Sequence, residues 1–208
     1  MKNNDTEEQN QNDLIIEVPS WNHIHGLLVK LAEKIKNSKF IPDIIVGVAR
    51  GGWIPARIMS DMLENNNLAN ISAEFYVDMG KTKHKPVITQ PVSAPVKNLK
   101  VLVVDDLADS GESLKLIKAH LQKLGAQEIR VSTLYYKPWS IVIPNYYEKQ
   151  TRNWIVFPWE QKETARKILK TATSKGGTVQ DAKEKLISSG LNRKLVEQII
   201  KEILEEKQ

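Results

Sequence analysis

Four apolar residues, Val101-Leu102-Val103-Val104, run directly into two adjacent acids, Asp105-Asp106, and then through Leu107-Ala108-Asp109 into Ser110-Gly111-Glu112-Ser113. No other stretch restricts the fold as tightly. A short run with no polar break reads as a strand buried on both faces, the habit of parallel sheets. Residues from Glu112 to Leu124 then keep a helical period and stop at Gly125, the residue type best suited to a left-handed helix C-terminus. A buried strand feeding a helix is half of a βαβ unit, so this segment points to an α/β domain.

The rest of the chain repeats the alternation. Trp21, Ile24, Leu27, Leu28, Leu31 and Ile35 recur at helical steps after Pro19-Ser20, with Ser20 the expected N-cap. Ile44 to Val48 reads as a strand ending in Ala49-Arg50-Gly51-Gly52, and Trp53 to Leu63 as the next helix. Ile71 to Val77 and Ile129 to Tyr136 read as further strands. Residues 78–98, rich in Pro, Lys and Thr, have no clear period and read as a long loop. Right-handed crossovers put the C-terminal ends of parallel strands on one edge, where such sheets bind ligands. The loops at 49–52 and 105–113 should therefore meet there.

Cysteine is absent, which excludes disulfides, thiolate metal sites and thiol catalysis. The apolar runs are of strand length, short of the roughly 20 residues of a membrane helix. Residues 1–13 are polar, rich in Asn and Gln, and lack the layout of a secretory signal; they read as a disordered leader on a cytoplasmic protein. Beyond Glu160 the character changes. Residues 161–208 hold no aromatic side chain and read as two or three short helices, broken at Lys175-Gly176-Gly177 and Ser189-Gly190. Leu195, Ile199, Ile200, Ile203 and Leu204 form an apolar stripe that needs a partner. This tail carries 11 basic and 7 acidic side chains, most of the net charge of +5. Its acids are interleaved with its bases, as on a solvated helical face, and not segregated into the dense basic stripe of a nucleic-acid footprint. The reading is a leader at 1–13, a domain at 14–160 and a helical extension at 161–208.

The segment from Asp105 to Ser113 has the chemistry of an anion and sugar site. N–H groups at a helix N-terminus are unpaired and favour a phosphate. Gly111 lets that backbone approach closely, and the hydroxyls of Ser110 and Ser113 add donors. Asp105 and Asp106 can accept from vicinal sugar hydroxyls, and one can help hold a hard cation such as Mg²⁺.

These residues resemble the binding signature for phosphoribosyl pyrophosphate (PRPP) in type I phosphoribosyltransferases: an apolar run, two acids, two apolar residues, any residue, Thr, Gly, any residue, Thr. Ser110 and Ser113 take both Thr positions. Ala49-Arg50-Gly51-Gly52 resembles the pyrophosphate loop of the xanthine–guanine branch, with Ala49 where Ser is usual. Tyr136-Lys137-Pro138 and Asn153-Trp154-Ile155 through Pro158-Trp159-Glu160 resemble that branch's purine pocket. The match spans residues 14–160 and leaves out the tail.

The resemblance implies an α/β fold with a mostly parallel sheet flanked by helices and a small hood. It implies Mg²⁺-dependent transfer of the 5-phosphoribosyl group from PRPP to a 6-oxopurine (guanine, xanthine or hypoxanthine), with release of pyrophosphate, by a homodimer or tetramer. By the same resemblance Asp105, Asp106, Leu107, Ala108, Asp109, Ser110, Gly111, Glu112 and Ser113 hold the ribose and its 5-phosphate, and Asp106 meets the metal. Arg50, Gly51, Gly52 and Lys85 face pyrophosphate, Lys85 as part of a basic lid from Asp78 to Pro91. Asp109 faces N7 of the purine as general base or proton partner. Lys137 donates to the 6-oxo group and disfavours a 6-amino group, Trp154 stacks on the base, and Ile155 offers backbone groups. A cis peptide at Ala49–Arg50 is also implied. Two alternatives stand beside this reading: a PRPP-sensing regulator on the same fold, against which no winged-helix signature precedes residue 14, and a transferase for adenine or a pyrimidine.

Overall fold

The structure is a computed structural model that describes residues 15–77 and 84–206, with Tyr76, Val77 and His84 as backbone only. The leader expected at 1–13 and part of the lid expected at Asp78 to Pro91 lie outside the described residues. In chain order the elements are β1 (Ile16–Glu17), α1 (Trp21–Asn37), β2 (Ile44–Ala49), α2 (Trp53–Met62), β3 (Leu68–Val77), β4 (His84–Gln90) and β5 (Lys100–Ala108). They continue with α3 (Glu112–Lys123), β6 (Glu128–Tyr136), β7 (Tyr146–Gln150), β8 (Trp154–Ile155), α4 (Gln161–Ser174), α5 (Val179–Ser188) and α6 (Arg193–Glu205). They form two compact units, one from Trp21 to Arg152, the other from Asn153 onward together with the N-terminal segment ending at Ser20.

The larger unit is built on a six-stranded sheet of order β4-β3-β2-β5-β6-β7. Every pairing is parallel except β3 with β4. The apolar run of β5 lies at its centre: Val101 to Val104 pair with Ile44 to Gly47 on one side, and Val101 to Val104 pair with Ile129 to Ser132 on the other. Side chains alternate between faces with a period of two. Val101 and Val103 join a core with Leu114, Ile117 and Leu121 of α3. Leu102 and Val104, also buried, belong to the opposite face. Each such side chain, fully buried, contributes about 1.5–3 kcal/mol relative to exposure.

Two sequence expectations need correction here. Residues 78–98 are not all loop, because His84–Gln90 forms β4. This strand is held by antiparallel pairing to β3, Tyr76 opposite Lys85 and Ala73 opposite Ile88, and occupies the sheet's edge. An edge strand draws its hydrogen bonds from one neighbour and tolerates Pro86, so it needs no apolar period to announce it. The second correction concerns the acids. β5 continues four residues past its apolar run, and Asp105, Leu107 and Ala108 pair with Thr133, Tyr135 and Tyr136. Asp105 and Asp106 therefore lie within the strand and not in the loop that follows. The sequence reading also omits β7 and the short β1 and β8.

In the smaller unit β1 and β8 pair in parallel, Ile16 with Trp154 and Glu17 with Ile155. Its three helices share a core of Ile168, Leu169, Leu186, Val196, Ile200 and Ile203. The apolar stripe of α6 thus finds its partners in α4 and α5; Ile199 is buried with it, while Leu204 stays exposed. The breaks fall where the glycines predict, with positive φ at Gly176 and Gly190. Ile16, Val18 and Trp154 pack against the helical core. Residues 153–160 therefore group with the helices, whereas the sequence reading ends its domain at Glu160. No described helix is long and apolar enough to cross a membrane.

Candidate active site

Three adjacent parallel strands, β2, β5 and β6, deliver their C-terminal ends to one edge of the sheet. Beyond β2 the chain passes through a cis Ala49–Arg50 peptide, the isomer the resemblance implies, to exposed Arg50 and then Gly51-Gly52. A Cβ on Gly51 would overlap the Asp106 carboxylate, and one on Gly52 would overlap the Val104 carbonyl. The two glycines are what allow this turn to lie directly on Asp105 and Asp106.

The two acids differ in chemistry although they are neighbours. Burial pushes the Asp105 carboxyl well above the usual carboxylate range, and the adjacent Asp106 charge pushes it the same way. The Asp106 N–H donates to Asp105 Oδ1 at 3.0 Å and opposes both effects only in part. Asp106 is thus the better bearer of negative charge at the sheet edge.

The segment after β5 makes the cradle. Gly111 adopts φ 78°, and a Cβ there would stand 2.5 Å from Ser140 Oγ and 2.7 Å from the Val142 nitrogen. Glycine is required both by the positive φ and by this close approach. The Glu112 N–H donates to Ser110 Oγ at 3.3 Å, and the N-cap of α3 is Gly111, which has no side chain to accept from the N–H groups that follow. Asp105, Leu107, Ala108, Asp109, Ser110, Gly111 and Ser113 line a cavity of about 330 Å³ with Phe75 and Leu114. Of the residues expected there, Asp106 lies against Gly51, and Glu112 is exposed on the first turn of α3.

Lys137 directly follows β6. It is 4% exposed, and its N–H donates to the Ala108 carbonyl at 2.9 Å, which brings it beside the cradle. Its ammonium lies 5.4 Å from the centroid of the Trp139 ring, and the Trp139 indole N–H donates to Asp109 Oδ1 at 3.1 Å. Lys85 is exposed on the outer strand β4 and is not among the residues that line the cavity. Trp154 and Ile155 form β8 in the smaller unit, where Trp154 packs on the helical core. Sequence reasoning missed Phe75 and Trp139. Phe75 sits on an edge-proximal strand with no motif around it. Trp139 had a signal, an aromatic two residues beyond Lys137, but nothing local that tied it to Asp109.

Among the described residues no group of three His, Cys, Asp or Glu could hold a metal ion. Mg²⁺ does not require one, because it commonly binds through one or two carboxylates with substrate phosphates and retained waters. Half-buried Asp106, beside an acid whose proton is held more tightly, fits that donor set.

A protein family described as phosphoribosyl transferase domain matches residues 20–165. The xanthine-guanine phosphoribosyltransferase of Cereibacter sphaeroides is 30% identical over 153 residues, covering 68% of this chain and 84% of its own. That of Gluconobacter oxydans is 28% identical over 143 residues, covering 68% and 82%. Among solved structures, the purine phosphoribosyltransferase from Pyrococcus horikoshii is similar with a TM-score of 0.64 and 41% identity, covering 70% of this chain and 93% of that one.

Proposed function

The chain belongs to the phosphoribosyltransferase family and has the type I phosphoribosyltransferase fold, and from that premise we propose that it transfers the 5-phosphoribosyl group of PRPP to a 6-oxopurine, releasing pyrophosphate. Guanine, xanthine and hypoxanthine are the bases in question, and the reading includes a cytoplasmic homo-oligomer, dimer or tetramer. The observation that carries it is the cavity lined by Asp105, Leu107 to Gly111 and Ser113, with the N-terminus of α3, whose N-cap is Gly111, on one side and the buried Lys137 tied to its wall. The names of the xanthine-guanine relatives support the choice of base.

In this mechanism the N–H groups at the start of α3 and the hydroxyls of Ser110 and Ser113 hold the 5-phosphate. Asp105 and Asp106 accept from the ribose hydroxyls. Arg50, always cationic, takes pyrophosphate oxygens with the N–H groups of Gly51 and Gly52, so that charge leaving C1′ meets donors already in place. Asp106 is the residue that would hold Mg²⁺, whose chemistry there is to neutralise pyrophosphate. Asp109 faces N7 and exchanges a proton with the base as the new bond forms. Lys137, a donor with no acceptor capacity, selects a 6-oxo group over a 6-amino group.

Steady-state kcat/KM for guanine, xanthine, hypoxanthine and adenine with PRPP and Mg²⁺ tests the reading. Lys137→Met keeps the length and removes the donor. A site built to pair with a polar substrate group loses most of its discrimination when that partner goes. The expected result is a fall of about 100-fold or more for guanine, with adenine little changed. An unchanged ratio of guanine to adenine would refute the role of Lys137. Absence of pyrophosphate release with every base, alongside intact PRPP binding, would favour a PRPP-sensing regulator instead.

A further inference from the structure

The connection leaving β6 is fastened to the phosphate cradle on both sides of Asp109. The Lys137 N–H donates to the Ala108 carbonyl at 2.9 Å, and the Ile141 N–H donates to the Ser110 carbonyl at 2.9 Å. Between these two bonds the Ser140 N–H closes a turn onto the Lys137 carbonyl at 3.0 Å. Ser140 Oγ fills the space left by the missing Cβ of Gly111. Trp139 stands at the tip of that turn, midway between the two tethers, as Asp109 stands midway between their acceptors. Its indole N–H reaches Asp109 Oδ1 at 3.1 Å, and its ring meets the Lys137 ammonium. Trp139 belongs to none of the motifs that mark the site, yet it contacts the two side chains assigned to the base.

We propose that Trp139 is a positioning residue of the reaction, orienting the Asp109 carboxylate through its indole N–H and seating the Lys137 ammonium against its ring. This rests on the roles given above to Asp109 and Lys137. A carboxylate offers two oxygens and about four acceptor sites. With Oδ1 engaged by the indole, Oδ2 stays open to the N7 edge of a base. An indole suits the task because it only donates: it does not titrate and cannot compete for the proton that Asp109 exchanges. Its rigid ring has few torsions to order, so the carboxylate is held at small entropic cost. The arrangement follows the general logic of a catalytic base oriented by a third group.

Trp139→Phe keeps the ring over Lys137 and removes the N–H. The measurement is kcat and the separate KM values for guanine and PRPP, in Trp139→Phe, Asp109→Asn and the double variant, with thermal melting as the check on folding. Loss of a hydrogen bond to a charged group, at a half-exposed position, should lower kcat about tenfold. KM for PRPP and the melting temperature should not move. The double variant should be no slower than Asp109→Asn, because Trp139 acts through Asp109. Three results overturn the proposal while leaving Asp109 in place: wild-type kcat in Trp139→Phe when Asp109→Asn is impaired, a further tenfold loss in the double variant, or a lower KM for guanine at unchanged kcat. The last would make Trp139 a competitor for the base site. Wild-type kcat in Asp109→Asn would instead remove the role of Asp109 itself, and the proposal with it.

Discussion

Asp105 and Asp106 are identical residues side by side, and their surroundings separate them. Asp105 lies under the Gly52 turn within β5, and burial there, reinforced by the Asp106 charge, pushes its carboxyl up. The folded chain thus holds this proton more tightly than the unfolded chain does. The stability this provides is complete below the ordinary carboxylate range and is lost as pH rises through the folded value. Asn imitates the protonated acid, so Asp105→Asn should melt above the wild type near about pH 8, and the gap should close on titration to about pH 4. Each kcal/mol recovered corresponds to about 2–4 °C in a chain of this size. Calorimetry across that range on the ligand-free protein reads it directly; a gap that does not vary with pH would contradict the assignment. The pair itself was legible in the sequence because it adjoins the glycine and serines of one contiguous motif. The difference within the pair was not, since it depends on how deeply the folded chain buries Asp105.

Among the elements, the helices were more readable than the strands. Helix ends are local events. Thr178 caps α5 through a reciprocal pair: its Oγ accepts from the Asp181 N–H at 3.1 Å, and Asp181 Oδ2 accepts from the Thr178 N–H at 2.7 Å. The Thr178 N–H, and after it the Thr178 hydroxyl, which also donates to Asp181 Oδ2 at 2.8 Å, hold the Asp181 carboxyl below its usual range. Asn192 caps α6 by a single bond, its Oδ1 accepting from the Leu195 N–H at 3.2 Å. Thr178→Ala should cost about 1 kcal/mol, lowering Tm by about 2–4 °C, with kcat/KM unaltered. A Tm equal to wild type would mean that the capping box adds nothing to the core formed by Leu186 and its neighbours. The ion pairs of Lys162 and Arg166 with Glu202 and Glu206 are surface contacts and call for no comparable effect. Strands gave less away. β4 exists because β3 offers a free edge, and the length of β5 is set by pairing with β6 as far as Ala108 opposite Tyr136. Neither fact is written in the residues of the strand concerned.

For the molecule as a whole, the tail is part of a compact unit and not a loose appendage. Ile16, Val18 and Trp154 lie on the core built by α4, α5 and α6, so a chain ending at Glu160 strips their cover. Such a truncation should bind ANS more strongly than the full chain and aggregate at a lower temperature, because newly exposed apolar surface seeks another partner. A truncated chain that melted like the full one and bound no ANS would show that these residues find cover elsewhere. By itself the sequence determined the α/β alternation, the glycine-and-serine turn that opens α3, the glycine breaks and the helical character of the tail, though not whether it holds two helices or three. Each is encoded by neighbours in the chain: an apolar period, a cap, a glycine where φ turns positive, a motif read within a dozen residues. The tertiary structure alone decided that Asp105 and Asp106 belong to a strand, that Phe75 lines the cavity, that Trp154 serves the helical core, and that Trp139 meets Asp109. The last two residues stand 30 apart in the chain. They meet because β5 and β6 pair in a register that brings their ends level, and a contact set by register between distant segments leaves no mark in either segment alone.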